Sequence, residues 1–100
     1  MEILITNNDG ETTITLIGRI DTANSTEFDA AIAPIVASDM SNVVLDCEKL
    51  SYISSSGLRI FLTLQKTALA KKGHLRIRNM NSEIKNVFNM TGFSKLFQFE

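Results

Sequence analysis

The sequence predicts one α/β domain over residues 1–100: a mixed β-sheet that begins with an N-terminal β-hairpin and continues as β-α units, with helices packed on the sheet. Two short alternating stretches at the start are divided by turn residues, Asn7-Asn8-Asp9-Gly10. A β-branched run, Val43-Val44-Leu45, is followed by a segment whose apolar residues recur at helical spacing. One hundred residues with 44% hydrophobic and 21% charged content suit a single globular core, too small for a second lobe and a deep cleft between lobes.

The elements follow in chain order. Residues 2–6 alternate around Ile3 and Ile5, and Thr12 to Ile17 alternates around Ile14 and Leu16, which gives the hairpin. Gly18 weakens the end of the second strand, and Asp21 stands where a helix should begin. From about Thr22 to Ala37 one apolar stripe is formed by Phe28, Ala31, Ile32 and Ile35. Pro34 lacks an N–H and clashes with the preceding turn, at about 3 kcal/mol in a helix interior, so a break or kink is expected there. Val43-Val44-Leu45 reads as a central strand covered on both faces, ending at Asp46 before a polar loop.

Three serines, Ser54 to Ser56, then lead through Gly57 into a second helix. Leu58, Phe61, Leu62, Ala68 and Leu69 share its buried face, widened by Ile60 and Leu64, while Arg59, Thr63 and Lys66 lie opposite. Lys71-Lys72-Gly73 suits its end, with cations at the negative end of the dipole and a glycine able to turn left-handed. His74 to Arg78 is a strand with Leu75 and Ile77 on one face and Arg76 and Arg78 on the other, a face left open to solvent or near an edge. Asn81 can cap a third helix carrying Ile84, Val87, Phe88 and Thr91, and Gly92 stops it. After a turn at Phe93-Ser94-Lys95, Leu96 to Phe99 reads as a short last strand. Phe28, Phe61, Phe88, Phe93 and Phe97 are core candidates.

Composition narrows the function. Ten basic against eleven acidic residues, a formal charge of −1, give no reason to expect strong nonspecific binding to nucleic acid or anionic membrane. Lys66, Lys71, Lys72, Arg76 and Arg78 cluster in sequence without interleaved aromatics, the pattern of a solvated face. The first residues, MEILITNNDG, carry no basic leader, and no apolar stretch reaches membrane-spanning length, so a cytoplasmic location is expected. Cys47 is the only cysteine, which leaves no internal disulfide and no thiolate-rich metal site; it reads as a small structural residue. His74 is the only histidine, and it opens a strand at the end opposite Ser55, so a Ser-His-Asp triad is not expected.

The serines are the informative stretch. A helix N-terminus presents unpaired N–H groups and the positive end of the macrodipole, which suits a serine as cap and a phosphate as ligand or modification. Strand ends that meet helix starts also gather Asp21 and Asp46. On residue chemistry alone each has a bland role: the serines cap the second helix, Asp21 caps the first, Asp46 holds loop N–H groups, and Arg59 is a solvated side chain.

The chain resembles the STAS domains of bacterial anti-sigma-factor antagonists over nearly its whole length. The matching features are Gly18-Arg19-Ile20-Asp21, Val43-Val44-Leu45-Asp46, Ile53-Ser54-Ser55-Ser56-Gly57-Leu58, and Val87-Phe88-Asn89-Met90-Thr91-Gly92-Phe93. The resemblance implies a module with no catalytic activity and no cofactor of its own. It implies binding, while unphosphorylated, to a serine kinase that is also an anti-sigma factor, release when that kinase uses ATP to phosphorylate one serine, and resetting by a serine phosphatase. Carried over by position, the acceptor is Ser55, with Ser54 and Ser56 as its neighbouring alternatives. Ser54 stands where the family has an aspartate, which removes an acidic group beside the acceptor. The partner surface implied is Asp21, Thr22, Asn24, Ser54, Ser56, Gly57 and Arg59. A second expectation from the same family is a STAS subunit of a membrane lipid-transport complex, bound to its ATPase.

Overall fold

Asp9 and Gly10 take φ of 50° and 80°, the pair of left-handed conformations that a two-residue hairpin turn requires. The computed structural model describes all 100 residues, and this turn joins β1 (Glu2–Asn8) to β2 (Glu11–Ile20). There follow α1 (Ser25–Ala37), β3 (Asn42–Ile53), α2 (Ser55–Ala70), β4 (His74–Arg78), α3 (Ser82–Thr91), a 3-10 turn at Phe93–Leu96, and the two-residue β5 (Gln98–Phe99). The strands lie in the order β1-β2-β3-β4-β5. β1 and β2 are antiparallel, and every later neighbour is parallel. This is the mixed sheet with a leading hairpin that the sequence predicts.

All three helices bury their apolar faces on the same side of the sheet. Phe28, Ile32 and Ile35 of α1, Phe61 and Leu64 of α2, and Ile84 and Phe88 of α3 join one core with Ile14, Leu16, Leu45, Leu75 and Ile77. Phe61 stands at its centre, with ring centroids 6.0 Å from Phe28, 6.1 Å from Phe88 and 6.5 Å from Phe97. Burying a side chain of this size contributes about 1.5–3 kcal/mol, so these rings are a large part of the folding energy.

The run Val43-Val44-Leu45 is buried on both faces of β3, as the sequence predicts, although only one of those faces carries helices. Val44 is fully buried yet lies outside that core. It sits on the helix-free face in a row with Thr13 and Arg76, its partners on the two neighbouring strands. On the same face Arg76 pairs with Glu11 and Glu100, and Arg78 with Glu100. The basic cluster in the sequence is therefore divided, because Lys71 turns to the opposite side and caps α1. Its Nζ donates to the carbonyls of Val36, at 3.0 Å, and of Ser38, at the negative end of that helix.

Several boundaries differ from the sequence reading: α1 starts at Ser25 and not near Thr22, and Leu96 belongs to the 3-10 turn, which leaves only Gln98–Phe99 as the last strand. β3 does not stop at Asp46 but runs on to Ile53, because its pairing with β2 slips between Asp46 and Lys49 and again between Leu50 and Tyr52. The bulges space the buried residues Cys47, Leu50 and Ile53 three apart, and that period hides a strand. Gly18 does not end β2; it sits at the second slip with φ 101°. α1 passes through Pro34 without a break: the carbonyl left unpaired belongs to exposed Ala30, where water can serve it, and the helix ends three residues later. At the end of α2 it is Lys72, at φ 63°, that turns left-handed. Gly73 is required for a different reason, since a Cβ there would stand 1.9 Å from the Ser41 carbonyl oxygen. Leu69, placed on the buried face of α2, is exposed.

Candidate functional site

The last rung between β2 and β3 pairs Ile20 with Ile53, so the two chains leave the sheet side by side. The Ser54 N–H then donates to the Ile20 carbonyl at 2.8 Å, which fastens the start of α2 to the segment entering α1. Ser54 is extended, with φ −85° and ψ 171°, and its Oγ accepts from the Gly57 N–H at 3.2 Å. It is the N-cap. Its hydroxyl also lies 2.8 Å from that of Ser56, and the residue is buried. Gly57 lets the helix come this close: a Cβ would meet Ile20 Cγ2 at 2.7 Å and Ile53 Cγ1 at 2.8 Å.

Ser55 differs from both neighbours. It is the first residue of α2, it is exposed, and the capping interactions belong to Ser54. A hydroxyl here is open to an incoming group, and phosphate on it would face the unpaired N–H groups of the first turn.

Asp21 does not cap α1, which begins only at Ser25. It forms a reciprocal turn with Asn24: the Asp21 N–H donates to Asn24 Oδ1 and the Asn24 N–H to Asp21 Oδ1, both at 2.9 Å. Asn24 Nδ2 also donates to the Arg19 carbonyl at 2.8 Å, which holds the turn against the end of β2. Thr22 is exposed at its tip. Asp21, Thr22 and Asn24 thus stand at the same end of the sheet as Ser54, Ser55, Ser56 and Gly57. Arg59, one turn along α2, is exposed and lines a shallow groove between α1 and α2 together with Ser25, Thr26, Asp29, Ser56 and Thr63.

One expected position lies elsewhere, and the lone histidine and cysteine lie apart from the site as the sequence predicts. Asp46 is inside β3, seven residues before Ile53 and roughly 23 Å from it at strand rise; its carboxylate accepts from the Glu48 N–H at 3.2 Å. His74 opens β4 in register with Asn42, the far end of β3, so no histidine approaches Ser55. Cys47 is fully buried; burial first, and the adjacent Asp46 carboxylate second, push its thiol up to about 12, which keeps it protonated and inert at neutral pH.

Sequence reasoning missed the α1 side of the groove, although Ser25 and Asp29 are one helical turn apart and border the buried stripe through Phe28 and Ile32. It also missed the Arg19 guanidinium, 4.4 Å from the centre of the Tyr52 ring beside the same end of the sheet. The slipped register alone makes those two partners.

Comparison with known proteins agrees with this architecture. The model of the STAS domain matches residues 2–100. A Bordetella bronchiseptica protein named as an anti-sigma factor antagonist, BtrV, is 32% identical over 97 residues, 97% of this chain and 84% of the relative. An anti-sigma factor antagonist from Mycobacterium paratuberculosis superposes with TM-score 0.87 at 21% identity, covering 98% of this chain and 83% of that one. The Bacillus cell fate determinant SpoIIAA in its phosphorylated form superposes with TM-score 0.77 at 19% identity, covering 99% of this chain and 91% of that one. The hairpin-led mixed sheet, the helices on one face and the match along almost the entire chain show that the protein belongs to the STAS domain family.

Proposed function

We propose that the chain is an anti-sigma-factor antagonist that works by partner switching. Unphosphorylated, it binds an anti-sigma factor that is also a serine kinase, through the surface formed by Asp21, Thr22, Asn24, Ser54, Ser56, Gly57 and Arg59. The kinase, using ATP, phosphorylates Ser55 and is released, and a serine phosphatase restores the binding form. The chain contributes no catalytic group and needs no cofactor, and it acts in the cytoplasm. The observation that carries this reading is the division of labour among the serines: Ser54 caps α2 while Ser55 stands exposed at its first position.

A phosphate on Ser55 adds about −1.5 to −2 charges at pH 7, which the helix N-terminus tolerates within the domain. A partner surface fitted to a neutral hydroxyl would instead enclose an unpaired dianion, which costs about 3–5 kcal/mol and weakens binding on the order of 10²–10⁴-fold. Ser54, in the family's aspartate position, supplies the cap acceptor through its hydroxyl.

The test is intact-mass and tandem mass spectrometry after incubation with ATP and the serine kinase of the same genome, with binding of Ser55→Ala and Ser55→Asp measured beside it. One phosphate on Ser55, tight retention of Ser55→Ala and loss of Ser55→Asp are expected. Equal binding by the two variants, or no phosphate from a kinase active on another substrate, refutes the switch; recovery of transporter subunits in pull-downs would then support the lipid-transport role.

A further inference from the structure

The sheet has two edges, and only one of them is guarded. β5 is two residues long and lies beside the ion pairs of Arg76 and Arg78 with Glu100, so shortness and charge protect it. β1 is seven residues long and pairs with β2 in unbroken register from Glu2 to Asn8. It contains no lysine, no proline and no bulge, its only charge is Glu2, and Leu4 and Ile5 are 47% and 39% exposed. These are the features of a strand that pairs again.

We propose that the free edge of β1 pairs antiparallel with β1 of a second copy of this chain, with Ile5 on the two-fold axis, joining the two sheets into one. The hydrogen-bonding pattern fixes which groups are available. Because Asn8 and Glu11 close the two-residue hairpin, Asn8, Thr6, Leu4 and Glu2 are the residues that bond to β2. The N–H and C=O groups of Ile3, Ile5 and Asn7 therefore point outward. With Ile5 opposite Ile5, Ile3 meets Asn7, Leu4 meets Thr6 and Glu2 meets Asn8. Every outward group finds a partner along the full length of the strand, and no charge faces its like.

The surroundings select a second copy over a foreign strand. On the helix side of the sheet, the groove between β1 and α1 is lined by Ile5, Ala31, Pro34, Ile35 and Met40 among others, and no charged residue lines it. A strand carrying charge on that face would desolvate it against apolar side chains. The strand this chain itself offers presents Ile3, Ile5 and Asn7 there, and the facing groove of the other copy is equally uncharged. The pairing closes as an isologous dimer and leaves no free β1 edge.

Sedimentation equilibrium of the whole chain over roughly 10 µM to 1 mM, in the range where a small transient interface associates, tests this directly. The mass is expected to rise from 11.1 kDa towards twice that value. Ile5→Lys, which sets two cations face to face on the axis, should hold the chain at monomer mass with its circular dichroism unchanged. Ile5→Cys should cross-link to dimer under mild oxidation, because hydrogen-bonded antiparallel partners lie about 5.5 Å apart at Cα, within disulfide reach, while buried Cys47 stays unreacted. The cross-link decides the matter should Ile5→Lys not fold. A monomer at every concentration overturns the proposal, and so does a dimer that survives Ile5→Lys and fails to cross-link through Ile5→Cys.

Discussion

Replacing Gly57 by alanine tests how α2, and with it Ser55, is seated. The added methyl would stand 2.7 Å from Ile20 Cγ2 and 2.8 Å from Ile53 Cγ1, where contacts between carbons settle at about 3.5–4.0 Å. Neither neighbour yields easily. Ile20 is fully buried and Ile53 is 5% exposed, and both are β-branched residues on adjacent strands at the last paired rung. Overpacking of this kind costs about 1–3 kcal/mol, and the reduced freedom of the unfolded chain returns about 0.4–1 kcal/mol of it. The expected result is a net loss of about 1–2 kcal/mol, a fall in Tm of roughly 5–15 °C for a domain of this size, with the start of α2 pushed off the sheet and the Ser54 cap weakened. Thermal unfolding by circular dichroism measures it, with Ser55→Ala two residues away as an exposed control that should stay within about 0.5 kcal/mol of the parent. A Gly57→Ala protein as stable as the parent would mean that close contact with Ile20 and Ile53 does not set the position of the helix.

Three further outcomes follow from the same geometry. Ser54→Ala removes the acceptor for the Gly57 N–H and should cost about 1 kcal/mol in urea unfolding, while Ser55→Ala costs almost nothing; equal effects would contradict the assignment of the cap. Lys71→Met takes the ammonium group from the carbonyls at the end of α1 and should cost about 1–2 kcal/mol, with faster amide exchange at Met40, whose N–H is held by Ser38 Oγ; an unchanged midpoint would show that water replaces it freely. The Cys47 thiol, at about 12 in the fold against about 8.5 in an unfolded chain, makes a contribution that is complete below the unfolded value and is lost as pH rises towards the folded one. Stability should therefore decline between about pH 8.5 and 12 more steeply in the parent than in Cys47→Ala, and a thiol reagent at pH 8 should react only after denaturant is added; prompt reaction of the native protein would refute the burial argument.

The fold was legible wherever one physical rule acted alone. Alternation around Ile3, Ile5, Ile14 and Leu16, the helical stripe through Phe61 and Leu64, and the Asn81 cap, which accepts from the Ile84 N–H at 2.9 Å, all appear as read. It was illegible where two elements settle a residue jointly. The second half of β3 is a strand because β2 lies beside it, and its bulges replace the period of two by one of three. Gly73 is fixed by the Ser41 carbonyl, thirty-two positions earlier, which no local pattern announces. At the candidate site the end-of-strand rule brought Asp21 and the serines together correctly. It misplaced Asp46, because it took the end of the apolar run for the end of the strand.

The order of strands across the sheet is the order of the chain, with nothing inserted between earlier neighbours. Each strand after the hairpin therefore arrives at an edge that its predecessor has just left open, and the helix leading to it passes over one face throughout. The domain can be built from its N-terminus as the polypeptide emerges during synthesis, with no early strand waiting for a late partner and no completed pair having to open again. Among these five strands β1 is the edge that no later one covers, so its outer side stays open from the moment the hairpin closes.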